Sequence, residues 1–330
     1  MRKESIDKTC RKKSILFIPY AEDLHMKAGV NFGENVNSQE MYLKNCSVAL
    51  LSAKLNNPNV DVALVTNIEL PQKYKDLFDR NNILVFVESF DKFVFPDEYR
   101  WGLAFYKLCA LYKISRKYEY DNFAYLDSDV YVQGDISPIW KECEQHIMMY
   151  DINHGLQTRD YLEIVSEFDS FLHVNRLLTH YGGEFFAAQK EKAVSFSEEC
   201  LKVFNQMIED NFITKKGDEF IISIVANKFR GELKNAGAYI YRYWTGEFFL
   251  ASTNFKFNPV PIMHLPAEKT TGIIKIYKKY ISYGKLPKKE WVWRICHLKN
   301  PSIRVRLKSK FKTIIKTMLL KGKIKRNKNV

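Results

Sequence analysis

Two aspartates, Asp127 and Asp129, stand two residues apart after an apolar run in the stretch FAYLDSDVYVQGDISPIW, which spans Phe123–Trp140. In an extended segment such residues point to the same side, while Ser128 between them points away. Two crowded carboxylates are costly unless a cation neutralises them. Oxygen ligands suit a hard ion such as Mg²⁺ or Mn²⁺, which keeps open positions for water and phosphates. The pair therefore predicts a divalent metal site, although aspartates also serve as turn and capping residues at strand ends.

The elements around this pair predict an α/β fold. Helical segments at Ser38–Leu55, after Pro71 and at Arg100–Tyr118 separate four apolar runs that are typical of strands. These runs are Ser14–Tyr20, Val60–Asn67, Asn82–Glu88 and Asn122–Asp129. The alternation predicts a mainly parallel sheet with helices on both faces. Ligands bind beyond the C-terminal ends of the strands in such a sheet, which is where the aspartate pair falls.

The second half of the chain has a more mixed pattern. Strands are predicted at His146–Ile152, Gly183–Gln189, Ala238–Trp244 and Val260–Leu265, and helices at Glu191–Asp210 and Glu219–Lys228. No repeat or Gly/Ser linker interrupts this order, so one domain is predicted over residues 1–290.

The net charge of +13 is concentrated in the C-terminal segment. Residues 291–330 contain 13 Lys and Arg and no Asp or Glu, so the 38 basic residues before them balance 38 acidic ones. This balance argues against a nucleic-acid-binding surface over the whole body. Apolar residues recur in the tail at i, i+3, i+4, i+7 and i+8, namely Phe311, Ile314, Ile315, Met318 and Leu319. The pattern predicts a basic amphipathic helix that lies on an anionic membrane. The alternatives are that this apolar stripe packs against the body of the protein, residues 1–290, or that the tail binds nucleic acid.

The sequence also bears on the cellular compartment. No run of 18 or more apolar residues is present, and the N-terminal apolar segment is short and interrupted by Pro19, which is a poor signal peptide. The six cysteines are scattered without a CxxC pair, so neither a zinc site nor a disulfide framework is indicated. We therefore expect a cytoplasmic protein that is peripheral on the inner face of the cytoplasmic membrane.

The segment YLDSDVYVQGDISPIW resembles the YLD-D-V-GD-LW signature, a DxD motif, of the GT-A glycosyltransferases. The resemblance is strongest to the family eight group, which includes lipopolysaccharide galactosyl- and glucosyltransferases. Upstream, FYKLCAL at Phe105–Leu111 resembles a YYRL segment that lies a similar distance before that motif. The resemblance implies a GT-A fold and a Mn²⁺ or Mg²⁺ ion at Asp127 and Asp129. It also implies transfer of a hexose from a UDP-linked nucleotide sugar to a glycan or glycolipid acceptor in lipopolysaccharide or capsule biosynthesis.

The stretch PIMHLPAEKTTGIIK resembles the H-x-x-G-x-x-K element of that family, whose histidine completes the metal site and whose lysine contacts phosphate. The resemblance implies that His264 is the third metal ligand, although a core or loop histidine is an equal alternative. Gly272 lies eight residues after His264 instead of three. The phosphate lysine is therefore either Lys269 or Lys275.

Further candidate contacts to the nucleotide sugar lie at strand ends and on the helix before the motif. Tyr20, Ala21 and Asp23 occupy the place of the family's nucleotide-base loop, where Tyr20 would stack on uracil. Asn67 ends the second strand, and by resemblance Lys107 faces the diphosphate or sugar. Ser128, inside the DxD motif, is a further candidate for donor binding. A strand-end aromatic and a solvated helix lysine are the ordinary alternatives for Tyr20 and Lys107.

Three acidic residues are candidates for catalysis. Glu184 in YGGEFFAAQ stands where the family has FNAGV, and Asp218 and Glu219 in KGDEFIISIVAN stand where it has DQD. They would bind the sugar, hold the acceptor, or serve as base if the enzyme inverts. Acidic residues in a first helical turn are also favoured by the helix dipole alone. Two rival functions remain open: another metal-dependent phosphoryl or nucleotidyl transferase, or a non-enzymatic membrane- or nucleic-acid-binding module.

Overall fold

The computed structural model describes residues 12–22, 38–96, 99–152, 159–173, 178–245 and 260–298, and positions 307, 310, 311, 314, 315 and 318. Its first half alternates strands and helices in the order that the sequence predicts. These elements are β1 (Ser14–Tyr20), α1 (Ser38–Asn56), β2 (Asp61–Thr66), α2 (Gln72–Asp79), β3 (Leu84–Val87), α3 (Tyr106–Lys117) and β4 (Asn122–Leu126). A 3₁₀ turn at Gly102–Phe105 leads into α3, within the predicted helical range.

The second half contains shorter strands and the remaining helices. They are β5 (Val130–Val132), α4 (Ser137–Glu142), β6 (Ile147–Asp151), α5 (Arg159–Leu172), β7 (Tyr181–Gln189), α6 (Lys190–Glu209), α7 (Asp218–Lys228), β8 (Leu233–Asn235), β9 (Ile240–Arg242), β10 (Ile262–His264), α8 (Gly272–Tyr283) and α9 (Lys289–Ile295). The predicted strands correspond to β6, β7, β9 and β10, and the predicted helices to α6 and α7. The sequence patterns do not predict α5, β8, α8 or α9.

Within the described ranges, seven strands form the main sheet in the order β3-β2-β1-β4-β7-β6-β8. Strands β3, β2, β1 and β4 are mutually parallel, whereas β7 runs antiparallel to both β4 and β6. A second sheet of three described strands has the order β5-β10-β9, with β10 antiparallel to β5. The predicted fold class, a mainly parallel mixed α/β sheet flanked by helices, is confirmed.

The central strands are buried on both faces, which is why their sequences lack polar alternation. In β1, Ile15 and Phe17 belong to the core under α3, α6 and α7, while Leu16 and Ile18 belong to the core under α1 and α2. The helices of both layers therefore hold β1 and β4 rigidly, and the loops at the C-terminal ends of these strands carry the polar residues.

The C-terminal segment is described at six positions, and all six are helical and exposed. The apolar side chains among them are 42 to 69% exposed, namely Leu307, Phe311, Ile314, Ile315 and Met318. At these positions the apolar stripe is not covered by the body. None of the described helices is long and apolar enough to span a bilayer.

A candidate metal centre in a network of buried charges

The aspartate pair lies in the turn between β4 and β5. The predicted strand Asn122–Asp129 is too long, because β4 ends at Leu126 and the chain turns before β5 begins at Val130. The two carboxylates still converge. His264 joins them because β10 pairs with β5 and places His264 opposite Val130. One ligand atom each of Asp127, Asp129 and His264 lies within 4.8 Å of the others, so the cluster can hold a divalent metal.

The imidazole of His264 is buried between carboxylates on its two sides. Its Nε2 lies 3.2 Å from Asp129 Oδ2 and 3.9 Å from Asp127 Oδ2, whereas its Nδ1 lies 3.2 Å from Glu184 Oε1. Burial lowers the pKa of His264, but the charge of Asp129 and the hydrogen bond to Glu184 raise it to about 9. The surroundings of the ring are therefore strongly negative and attract a positive charge.

Asp129 is a buried carboxylate with few hydrogen-bond partners. It is 1% exposed, and neither carboxylate oxygen accepts a hydrogen bond of good geometry from the described residues. Burial raises its pKa, but the charges of Lys269, 3.3 Å away, and His264 bring it below the usual value for an aspartate. A buried carboxylate that stays ionised and lacks a well-aligned hydrogen bond from the described residues fits a metal ligand. Two carboxylates with one imidazole also form a donor set that Mn²⁺ or Mg²⁺ accepts.

Lys107 connects Asp127 to the first turn of α7. Its Nζ lies 2.7 Å from Asp127 Oδ1, 3.0 Å from Asp218 Oδ2 and 2.9 Å from the carbonyl oxygen of Gly183. Burial lowers the pKa of Lys107, yet Asp127 and Asp218 raise it well above its usual value. Burial raises the pKa of Asp218 to about 6, against the lowering effect of Lys107. Lys107 therefore lies beside Asp127 with its charge shared by two carboxylates, and its predicted contact with the diphosphate or sugar stays a prediction.

Arg242 binds the two other acidic candidates. Its guanidinium lies 2.7 Å and 2.5 Å from the two carboxylate oxygens of Glu184, and Nη2 lies 2.7 Å from Glu219 Oε1. Glu219 Oε2 lies 3.2 Å from His180 Nε2. Burial raises the pKa of Glu184, but Arg242 and His264 bring it down to about 2. A chain of charged contacts thus joins His264, Glu184, Arg242, Glu219 and His180.

The two glycines before Glu184 have little space around them. A Cβ on Gly182 would lie 1.8 Å from Glu184 Oε2 and 2.8 Å from Arg242 Nη2. A Cβ on Gly183 would lie 2.1 Å from Asp218 Oδ2 and 2.9 Å from Lys107 Nζ. The charged side chains of the network therefore approach the backbone closely at both glycines.

The predicted nucleotide-base loop is described in part. The Tyr20 hydroxyl donates a hydrogen bond to Glu22, and its ring lies 6.0 Å from the ring of Tyr42. The residue is 6% exposed. This burial favours the ordinary strand-end alternative for Tyr20. Ala21 is also buried, and Asp23 lies outside the described residues. Asn67 holds the loop in place: its Nδ2 donates to the Glu22 carbonyl at 2.7 Å, and its Oδ1 accepts from the Glu22 amide at 2.9 Å.

The structure places the two alternative lysines differently. Lys269 follows the 3₁₀ turn Pro266–Glu268 and reaches Asp129, whereas Lys275 is exposed in the first turns of α8 and has no contact with the aspartate pair. Ser128 is half-buried in the turn between the two aspartates.

The sequence patterns do not identify Arg242 or Glu22. For Arg242 a signal exists, because a single cation inside the apolar strand sequence AYIYRYW needs anionic partners when that strand is buried.

Among the described residues, the network contains five carboxylates, namely Asp127, Asp129, Glu184, Asp218 and Glu219, and three permanent cations, namely Lys107, Lys269 and Arg242. When the His264 imidazole is neutral, as metal ligation requires, the excess of two negative charges equals the charge of one divalent metal ion.

No protein-family model matches this chain, and no curated protein does. Solved structures do match it. One is the apo structure of WbbM, described as a bifunctional glycosyltransferase, with a TM-score of 0.52 and 11% sequence identity. The match covers 88% of this chain and 53% of that one, so the chain spans about half the length of WbbM. At this identity the likeness concerns the fold, which supports a GT-A type of architecture, while the resemblance to family eight stays a prediction.

Proposed function

We propose that this chain is a metal-dependent glycosyltransferase that transfers a hexose from a UDP-linked nucleotide sugar to a glycan or glycolipid acceptor. The observation that carries the proposal is the convergence of Asp127, Asp129 and His264 beyond the C-terminal end of β4. In parallel α/β sheets this edge binds ligands. The resemblance of the surrounding segment to the GT-A signature, and the fold shared with a protein described as a glycosyltransferase, support the same reaction.

The charges of the site suit the breaking of a sugar–phosphate bond. A divalent metal at the aspartate pair would supply Lewis-acid stabilisation and orientation for the diphosphate. Lys269 lies beside Asp129 with a side chain 18% exposed, so we assign it, rather than Lys275, to the phosphate oxygens. Asp218 and Glu219 lie in the first turn of α7, and we propose that this turn faces the sugar or acceptor.

We further propose that the tail associates with the inner face of the cytoplasmic membrane, where lipid-linked acceptors of lipopolysaccharide or capsule assembly are extended. Each Lys or Arg near an anionic surface contributes about 1 kcal/mol of attraction. The exposed apolar positions from Leu307 to Met318 would add burial in the lipid interface. We propose that the boundary between body and tail, predicted at residue 290, lies after residue 298, because Val292, Cys296 and Leu298 are buried.

The test is donor binding and hydrolysis with a panel of nucleotide sugars, with and without Mn²⁺. A donor at about 100 times its Kd stabilises the fold by roughly 2.7 kcal/mol, which a thermal-shift assay detects. We expect Asp127→Asn and Asp129→Asn to abolish both the metal-dependent shift and hydrolysis. Asp79→Asn is the matched control, because Asp79 is exposed at the end of α2 and lies outside both the DxD segment and the charge network.

Full metal-dependent turnover in both aspartate variants would contradict the proposal. The rival reaction, phosphoryl or nucleotidyl transfer, is distinguished by product analysis, since phosphate rather than sugar would reach the acceptor. A chain that binds no nucleotide with or without metal would favour a non-enzymatic binding module.

A further inference from the structure

We propose that Glu184 is a positioning residue of the metal centre and not a group that touches the sugar. It accepts a hydrogen bond from His264 Nδ1 and thereby keeps Nε2 directed at the two aspartates. The inference rests on the metal binding proposed above, and it replaces the catalytic role that the sequence suggests for Glu184.

The first step of the argument is the orientation of the imidazole. A histidine binds a metal through a deprotonated ring nitrogen, and the hydrogen bond made by the other nitrogen decides which one is free. In His264 the Nδ1 side faces Glu184 at 3.2 Å, whereas the Nε2 side faces Asp129 at 3.2 Å. An ionised carboxylate only accepts hydrogen bonds, so with a metal ion at Nε2 Glu184 would hold the remaining proton on Nδ1.

The second step is that Glu184 cannot reach a substrate. Its side chain is 0% exposed, and Arg242 contacts both of its carboxylate oxygens. The Glu184 carboxylate packs directly against the backbone of Gly182, since a Cβ at Gly182 would lie 1.8 Å from Glu184 Oε2. A base or nucleophile needs contact with the sugar or the attacking group, which this burial prevents.

The third step is how Glu184 is held. The planar guanidinium of Arg242 binds it from β9, and the same guanidinium is fixed from α7 by Glu219. Paired contacts of this kind restrict both the position and the plane of a carboxylate. The plane of Glu184 in turn restricts the imidazole ring, so the geometry of the metal ligand is set by three elements of the fold.

The alternative is that Glu184 only balances the charge of Arg242. In that case its loss would lower stability but leave the metal affinity of the folded protein unchanged. Glu184→Met separates the two roles, because Met has a similar length, no charge and only a weak thioether acceptor. Arg242 keeps Glu219 as its ionic partner.

The experiment titrates Mn²⁺ into the metal-free full-length chain, without donor, and measures free Mn²⁺ by electron paramagnetic resonance. We expect Glu184→Met to weaken Mn²⁺ binding by about 10- to 100-fold, the range found when partners of metal-bound histidines are removed. Glu88→Met is the matched control. Glu88 is also a buried carboxylate, 6% exposed, but it pairs with Lys117 and Tyr118 instead of a metal ligand. Its loss is expected to leave Mn²⁺ affinity unchanged.

Glu184→Gln is the conservative variant, because it keeps one oxygen acceptor, and it is expected to recover most of the affinity. A Gln variant as weak as the Met variant, or a Met variant as tight as wild type, would overturn the inference. If the Met variant does not fold, ¹⁵N NMR of the Mg²⁺-loaded wild type decides, since the inference requires a protonated His264 Nδ1. A wild-type chain that binds no Mn²⁺ would instead refute the metal dependence in the proposed function.

Discussion

Replacement of Gly183 by alanine tests the packing of the charge network against β7. The added Cβ would lie 2.1 Å from Asp218 Oδ2 and 2.9 Å from Lys107 Nζ, whereas ordinary contacts begin at 3.4 Å. The Asp218 carboxylate must therefore move by about 1 Å or more. Since Asp218 is now 3.0 Å from Lys107, such a movement disturbs the ion pair that also holds Asp127.

The size of the effect follows from overpacking rather than from the loss of a charge. Forcing an extra carbon into a well-packed interior costs about 1 to 3 kcal/mol. Removing one partner of a buried ion pair costs more, roughly 3 to 5 kcal/mol, but here both partners remain. With an unfolding entropy of about 2.1 cal/mol/K per residue, 1 to 3 kcal/mol corresponds to a decrease in Tm of roughly 1.5 to 4 °C for a chain of this length.

The assay measures thermal and urea unfolding of Gly183→Ala, together with its Mn²⁺ affinity. Gly231→Ala is the matched control, because a Cβ on Gly231 meets nothing within 4 Å in the described structure. We expect the control to stay within about 0.5 kcal/mol of wild type, as is usual for surface substitutions. The reasoning is refuted if Gly183→Ala is as stable as the control and binds Mn²⁺ as tightly as wild type does.

Two further predictions concern the C-terminal part of the chain. The hydrogen bond to Glu268 raises the pKa of His297, so the pair stabilises the fold fully below the ordinary pKa of 6.5 and this stabilisation is lost as pH rises through the raised value. His297→Gln should lower Tm at pH 6 and match wild type in alkaline buffer; a constant difference across this range would contradict the pairing. Phe311→Glu should weaken sedimentation with anionic vesicles, whereas Leu55→Glu, at a similarly exposed apolar residue, should not; equal sedimentation of the two variants would argue against membrane docking.

The sheet and the aspartate pair could be predicted because both depend on local patterns. Apolar runs without polar alternation identify strands covered on both faces, and β1 begins and ends at the predicted residues, Ser14 and Tyr20. The spacing of Asp127 and Asp129 predicts that they share a direction in an extended chain. The turn that the structure contains at this point also brings their carboxylates together. By contrast, β8 has only three residues and lies at the sheet edge, too short to show a period.

The partners in the charge network could not be predicted, because they depend on contacts between distant segments. Arg242 meets Glu184 across 58 residues and Glu219 across 23. The choice between Lys269 and Lys275 depends on the turn after β10, where Glu268 accepts hydrogen bonds from Thr271 and from the Gly272 amide. That turn directs Lys269 toward Asp129, and no spacing rule in the sequence contains this information.

The three cations of the described network differ in how firmly they are bound. Lys107 and Arg242 each bridge two carboxylates, and their side chains are 9% and 13% exposed. Lys269 pairs with one network carboxylate, Asp129, and is 18% exposed. A divalent ion at Asp127 and Asp129 would take over the neutralisation of Asp129 and would share Asp127 with Lys107. Lys107 would keep Asp218, and Arg242 would keep both of its partners. We therefore expect Lys269 to be the cation that can turn toward a phosphate group without leaving a buried charge uncompensated.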